Sequence, residues 1–315
     1  MTRFLLARVL HAILVLGMVS VTTFAIMHLA PGGPSVLADP KLSAAEREAI
    51  VDRLGLDAPL PVQFTRWITR AARGDLGTSF LYAAPTLRTI ADRVPNTLVL
   101  AGTALLLACV LGVPAGIAAG ASPGGTLDRW AMRVSVAGLA LPVFWLGIMV
   151  ILIFAVRLQW LPAGGVTADI DGGGLGDRVR HLILPASTLA LATASELFRY
   201  ARSAVREGRG ATWWRVARAR GVPRRRLVWR HAARHALVTL CSVLSVQLPR
   251  LVGGAAITET VFSWPGMGRL GVEAALARDY PLVMGVTLVV SFGVVLAGLV
   301  TDLGQLAADP RLRRA

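Results

Sequence analysis

Runs of apolar residues recur along the chain at roughly 9–30, 97–119, 134–156, 182–199, 237–258 and 281–306, separated by polar stretches of unequal length. A hydrocarbon core of about 30 Å is crossed by about 20 apolar residues in a helix. A helix also satisfies its own backbone hydrogen bonds, as a bilayer requires. The pattern predicts an all-α integral membrane protein with about six transmembrane helices, and an even number of crossings puts both termini on one side. Arg3 and Arg8 precede the first run as in a secretory leader, but the run is too long and no small-residue cleavage pattern follows. It is read as a helix that stays.

Composition agrees: 55% of the 315 residues are hydrophobic and 16% charged. Charge adds the orientation, because cytoplasmic loops retain Lys and Arg. With a cytoplasmic N-terminus, the inner segments hold 19 basic and five acidic residues (Asp128, Glu196, Glu207, Asp302 and Asp309), whereas the outer segments hold 13 of each. With Arg250, which lies inside a run, the inner side carries the whole formal charge of +15. Such basicity could signal nucleic-acid binding, but these arginines sit in short loops beside spans, and topology accounts for them; no nucleic-acid partner is expected. Cys109 and Cys241 lie within predicted spans, without metal-like spacing, and read as small core residues.

The polar segments differ in kind. An insert at about 31–95 contains Pro31-Gly32-Gly33-Pro34, a charged stretch from Ala44 to Leu54 with helical apolar spacing, and Gly74-Asp75-Leu76-Gly77-Thr78-Ser79; it predicts a small external domain. After the third run come Trp160-Leu161-Pro162-Ala163-Gly164-Gly165 and a Gly-rich run from Gly172 to Gly176, with Trp160 suited to the membrane interface. Between the fourth and fifth runs, the stretch from Arg199 to Ala236 carries twelve arginines. Within it, Thr212 reads as an N-cap, Gly221 as a C-terminal stop and Pro223 as a block to continuation, so a helix of about two turns is expected on the cytoplasmic surface. This helix either lies in the lipid interface with Trp213 and Trp214 dipping in, or docks a cytoplasmic partner. Small Ala217, Ala219 and Gly221, which allow close approach, favour docking.

At this loop the chain resembles the inner-membrane permeases of ATP-binding cassette importers of the dipeptide and oligopeptide type. The likeness is carried by Ala217-Arg218-Ala219-Arg220-Gly221 followed by His231-Ala232, with Glu207 and Gly210 upstream. It continues through Pro31-Gly32, Leu54-Gly55-Leu56-Asp57, Gly74-Asp75-Leu76-Gly77, Trp160-Leu161-Pro162, Leu184-Pro185, Glu259-Thr260-Val261-Phe262-Ser263-Trp264-Pro265-Gly266-Met267-Gly268 and Asp309-Pro310-Arg311. Thr212, His235 and Thr239 depart from the usual Asp, Asn and Pro. The resemblance implies a type I importer permease fold in the bacterial inner membrane. It divides the chain into an N-terminal transmembrane helix (1–30), an extracytoplasmic insert (31–95), a permease core (96–306) holding the coupling loop 200–236, and a cytoplasmic tail (307–315). The implied partners are a second, similar permease, two ATP-binding cassette ATPase subunits, an extracytoplasmic solute-binding protein and the bilayer. In that scheme the short helix is the coupling helix, and Glu207, Gly210, Thr212, Trp213, Ala217, Arg218, Ala219, Arg220, Gly221 and Pro223 form the contact with the ATPase.

The residues bear on mechanism independently. A phosphate-cradling loop requires Gly-Lys before Ser or Thr, and the only lysine, Lys41, stands between Pro40 and Leu42. No cofactor is therefore expected on this chain; ATP and Mg would be bound by the partner ATPases. Arg250 lies within a span, where a charge costs about 2.5–3.5 kcal/mol. It should contact an anionic part of the substrate, or else snorkel outward or pair with a carboxylate such as Glu259. The stretch Glu259 to Gly268, broken by Pro265 and glycines, reads either as a re-entrant gate element or as a plain external loop; Glu259, Trp264, Pro265 and Gly266 join Arg250 as pathway candidates. Gly174-Leu175-Gly176-Asp177 mimics an intramembrane aspartyl protease but lacks a second intramembrane Asp, and the pair His231 and His235 lacks the Glu of a zinc hydrolase motif. An ion-coupled secondary transporter, the main alternative, would need deep acidic or histidine groups.

Overall fold

The computed structural model describes residues 2–29, 55–167 and 173–308, together with 33–34, 37, 43–45, 48 and 51–52. Pro31-Gly32, most of the charged stretch from Ala44 to Leu54, Gly172 and the terminal Asp309-Pro310-Arg311 fall outside the described residues. Helices run α1 (Thr2–Leu29), α2 (Leu60–Ala71), α3 (Thr86–Ala121), α4 (Thr126–Ala140), α5 (Val143–Val150) with a π-helical extension Ile151–Arg157, α6 (Leu175–Gly210) and α7 (Thr212–Ala219). A single turn, Arg224–Arg226, and a π-helix, Leu227–Ala232, lead into α8 (Ala233–Gly254), α9 (Ala256–Val261), α10 (Met267–Leu276) and α11 (Tyr280–Ala308). Among the described residues no strand forms; Thr78 and Pro85 make one isolated antiparallel bridge.

Four helices among the described residues are long and apolar enough to cross a bilayer: Arg8–Leu29, Thr86–Ala121, Leu175–Gly210 and Tyr280–Asp302. The third predicted run is different. It is split into α4 and α5, bent by 108°, because Pro142 forces Leu141 into extended backbone (ψ 129°) and has no N–H with which to continue the ladder. Counting this pair as one span gives five, and α8 runs through the fifth predicted crossing. Two helices begin earlier than their apolar runs: α3 at Thr86 and α6 at Leu175. Gly174-Leu175-Gly176-Asp177, expected in a loop, is thus the start of α6, with Asp177 as its first-turn acid.

The chain forms two compact units, Met1–Thr97 with Pro265–Val295, and Leu98–Trp264 with Leu296–Ala315. The first has a core of Leu76, Ile90, Met267, Leu270, Ala274, Leu282 and Val286. Its polar lock is Asp279, fully buried, which accepts from Ser79 Oγ (2.5 Å) and Leu81 N (2.9 Å) and caps α11 through Leu282 N (3.1 Å). Tyr82 donates to Glu273 at 2.9 Å, and burial together with that carboxylate pushes its phenol above the ordinary value. Asn96 Nδ2 donates to the Pro265 carbonyl (2.9 Å) and Thr97 Oγ1 accepts from Met267 N (2.8 Å), so the end of the polar part of α3 fixes the turn into α10.

The second unit is built on close contact between α3 and α6. A Cβ at Gly112 would lie 2.5 Å from the Ala194 carbonyl oxygen, one at Gly116 2.7 Å from Ala201 Cβ, and one at Gly120 2.6 Å from the Arg202 carbonyl oxygen. Glycines four apart let the two backbones meet, the small-residue packing typical of membrane helices. Gly164 is equally constrained, since its Cβ would fall 2.8 Å from the Phe262 carbonyl carbon; beside it Gly165 N donates to Phe262 O at 2.9 Å. The glycines after Trp160-Leu161-Pro162 thus let that loop lie against the turn that follows α9.

Candidate functional site

The short helix between the fourth and fifth runs exists, as α7, and its C-terminus is built as the residues require. Gly221 is left-handed (φ +72°), Gly221 N donates to Arg218 O (3.0 Å) and Val222 N to Ala217 O (3.1 Å). That pair of bonds is a Schellman motif, closed by Val222 and Ala217 on the same core. Pro223 then caps the turn Arg224–Arg226. The N-terminus differs from expectation. Ala211, extended, holds the cap position without a side-chain bond, and Thr212 is the first helical residue.

Facing decides what α7 can do. Trp214 is 7% exposed and Trp213 and Ala217 are half-buried, all packed on the core, with Trp213 5.9 Å from the His235 ring. The tryptophans therefore do not dip into lipid; they anchor α7 to α6 and to the start of α8. The opposite face presents Thr212, Arg215, Val216, Ala219 and Arg220. This spacing is one helical stripe, with Val216 apolar and 43% exposed. Ala219 lies outward as expected for close approach, whereas Ala217 turns inward. Beside this stripe, Arg206, Arg209, Arg215 and Arg218 line a cleft of about 280 Å³ with Pro123, Gly210 and Trp214, and among the described residues no carboxylate lines it. Glu207 is exposed and accepts from Ser203 Oγ at 3.1 Å.

Two contacts that the sequence reading missed tie this region to the α3–α4 turn. Arg202 holds Asp128 with both an Nε and an Nη2 contact, the latter 3.0 Å, and Asp128 also accepts from Gly124 N at 2.8 Å. Arg224 Nη2 donates to Ser122 Oγ (2.5 Å) and Ala121 O (3.3 Å). Only tertiary structure brings these groups together; the four-residue spacing of Gly112, Gly116 and Gly120 was the one signal the sequence did display.

The pathway candidates do not form one cluster. Arg250 Nη1 lies 3.3 Å from Glu196 Oε1, with Gln247 Nε2 donating to Glu196 Oε2. The acid found at Arg250 is thus Glu196 on α6 and not the expected Glu259. Glu196 stands near the inner end of the fourth apolar run, which is why the charge count groups it with the inner segments. Glu259 is fully buried in α9, and Trp264, 2% exposed, closes the following turn by donating N–H to Glu259 O at 2.8 Å. Ser263 there is left-handed (φ 50°), and Gly266 is the extended N-cap of α10. The expected break in the helix is real, and Glu259, Phe262, Trp264 and Met267 around it are packed into the protein. His231 sits on the π-helix and His235 on α8, and no metal-like cluster exists among the described residues.

Among the described residues the chain is helical with several helices of membrane-spanning length and a short surface helix anchored to α6 and α8, which makes it an integral membrane protein. The chain belongs to the family described as "Binding-protein-dependent transport system inner membrane component", which matches residues 112–314, with that family's N-terminal region matching 1–101. It is 41% identical to the probable D,D-dipeptide transport system permease protein DdpB of Escherichia coli (strain K12), covering 96% of this chain and 95% of that one. It is 35% identical to the oligopeptide transport system permease protein AppB of Bacillus subtilis (strain 168) and 37% identical to the glutathione transport system permease protein GsiC of Salmonella paratyphi A, each over 99% of both chains. The fold is similar to that of the MetNI methionine ABC transporter in inward-facing form (TM-score 0.58, 18% identity, 71% of this chain and 97% of that one). The protein is thus an inner-membrane permease subunit of a binding-protein-dependent ABC transport system.

Proposed function

We propose that this chain is one of two membrane halves of a peptide importer, with α7 seated in a groove of a separate cytoplasmic ATPase that binds ATP and Mg. The observation that carries this reading is the outward stripe of α7, an apolar Val216 and a small Ala219 flanked by arginines, on a helix locked in place by Trp213 and Trp214. Both termini and the 199–236 loop face the cytoplasm in this reading, as the arginine distribution favours. A second permease completes the pathway, and an external solute-binding protein delivers the substrate. Peptides are the substrate class that the relatives' names support. Arg250, Glu259, Trp264, Pro265 and Gly266 would contribute to the pathway, with Arg250 reaching the substrate and the other four shaping the turn that follows α9.

Transport then shifts populations between inward-open and outward-open arrangements. Closure of the ATPases on ATP moves α7, and the capped end at Gly221 and Pro223 keeps that displacement from dissipating in a loose loop. The test is co-purification in detergent: the ATPase should elute with the permease and be lost when 212–223 is deleted. Retention of the ATPase by the deleted form, or labelling of a cysteine near Gly221 by an impermeant reagent from outside intact cells, would overturn the reading.

A further inference from the structure

Glu196, Gln247 and Arg250 form a charged cluster on the facing spans α6 and α8, inside two apolar runs. A charge at such depth is costly against lipid, yet the Arg250 side chain is 64% exposed. Among the described residues one of its five N–H donors makes a contact, a single 3.3 Å approach to Glu196 rather than a bidentate fork. The remaining donors call for a polar neighbour, so this face of α8 is unsuited to acyl chains. Glu196 is a quarter exposed, and Gln247, buried, fixes one of its oxygens. The cluster therefore presents a cation and an anion side by side, loosely joined, each partly open.

A ligand with one charge that displaces one member of such a pair leaves the other without its ion partner. A zwitterion can split the pair and restore both charges at once. From this geometry we infer that the cluster is a recognition station for short peptides with free termini: Arg250 takes the substrate carboxylate, Glu196 takes its ammonium, and Gln247 holds Glu196 in place. The inference rests on the reading of the chain as half of a peptide pathway, and it adds that a blocked amine or a blocked acid is penalised by the permease itself.

The test uses the purified permease–ATPase complex in nanodiscs without the binding protein, so that only the permease discriminates. In a background carrying Cys109→Ser and Cys241→Ser, Val246→Cys places a thiol one turn before Arg250, at a side chain 58% exposed. An impermeant maleimide should label it, and millimolar di- and tripeptides with free termini should slow the labelling. N-acetylated or C-amidated forms should protect about tenfold less well, the factor that one charge-assisted contact carries. Arg250→Gln should abolish the preference for free over amidated peptides and keep the preference for free over acetylated ones; Glu196→Gln should do the reverse, and Arg250→Lys should restore much of the first. A labelled thiol protected equally by free and blocked peptides would overturn the station and leave the pathway standing. An unreactive thiol would overturn both.

Discussion

Replacing Gly112 with alanine isolates the helix contact on which the second unit depends. The three atoms nearest the added Cβ are all main chain, the Ala194 carbonyl oxygen at 2.5 Å with its carbon and Cα at 3.1 Å, so the closest contact cannot be relieved by a side chain swinging aside. Reaching ordinary contact near 3.4 Å requires α3 and α6 to part by about 0.9 Å, and overpacking of this kind costs about 1–3 kcal/mol. Alanine also favours helix over glycine by about 1 kcal/mol, which would mask part of the loss. Gly102 supplies the control: it lies on the same helix, and a Cβ there would have nothing within 4 Å. The propensity gain is common to both substitutions, so the difference between Gly102→Ala and Gly112→Ala is the packing cost alone. Unfolding titrated with sodium dodecyl sulfate in mixed micelles should place Gly102→Ala level with or above the parent and Gly112→Ala about 1–3 kcal/mol below Gly102→Ala. Equal stability of the two variants would refute the close approach of α3 and α6.

Other outcomes can be checked with similar means. Asp128→Asn leaves Arg202, 18% exposed, without its anion, and should cost about 3 kcal/mol in the same titration, partly recovered by adding Arg202→Gln. Gly221→Ala meets open space but must hold φ +72°, so it should cost about 1–2 kcal/mol and loosen ATPase retention, whereas Gly221→Asn should be milder. Val216→Asp should leave permease stability intact and abolish co-elution of the ATPase; Trp214→Ala should instead lower stability by about 3–5 kcal/mol, since that ring is buried.

Much of the fold could be read from the apolar runs, because α1 and α11 are continuous stretches in which length alone identifies a span. The third run misled for a local reason. Hydropathy is blind to Pro142, which turns one apparent crossing into two helices, and proline's effect depends on whether the preceding residue is driven out of helix. The start of α3 was missed because residues 86–96 are amphipathic and pack on the first unit's core through Ile90 and Val94. At α7 the end was legible, since glycine is the residue that most readily takes the left-handed position there. Its facing could also have been read, from Trp213, Trp214 and Ala217 on one side and Thr212, Arg215, Val216 and Ala219 on the other. The partner of Arg250 could not. Glu196 lies 54 residues away in sequence, and only the packing of α6 on α8 brings the two together.

The glycine ladder has a mechanical meaning at its inner end. Gly120 lies on the Arg202 main chain, the Arg202 side chain grips Asp128 at the start of α4, and Arg224, just beyond α7, grips Ser122 between α3 and α4. Three fasteners of different chemistry, steric, ionic and hydrogen-bonded, thus fall within a few residues of one another around a single turn. A load applied to α7 is shared by α3 and α4 as well as by the two helices that flank it in sequence. Cutting one fastener should leave the remainder to carry the stroke, whereas cutting all three should let the lever swing while the plate stays still.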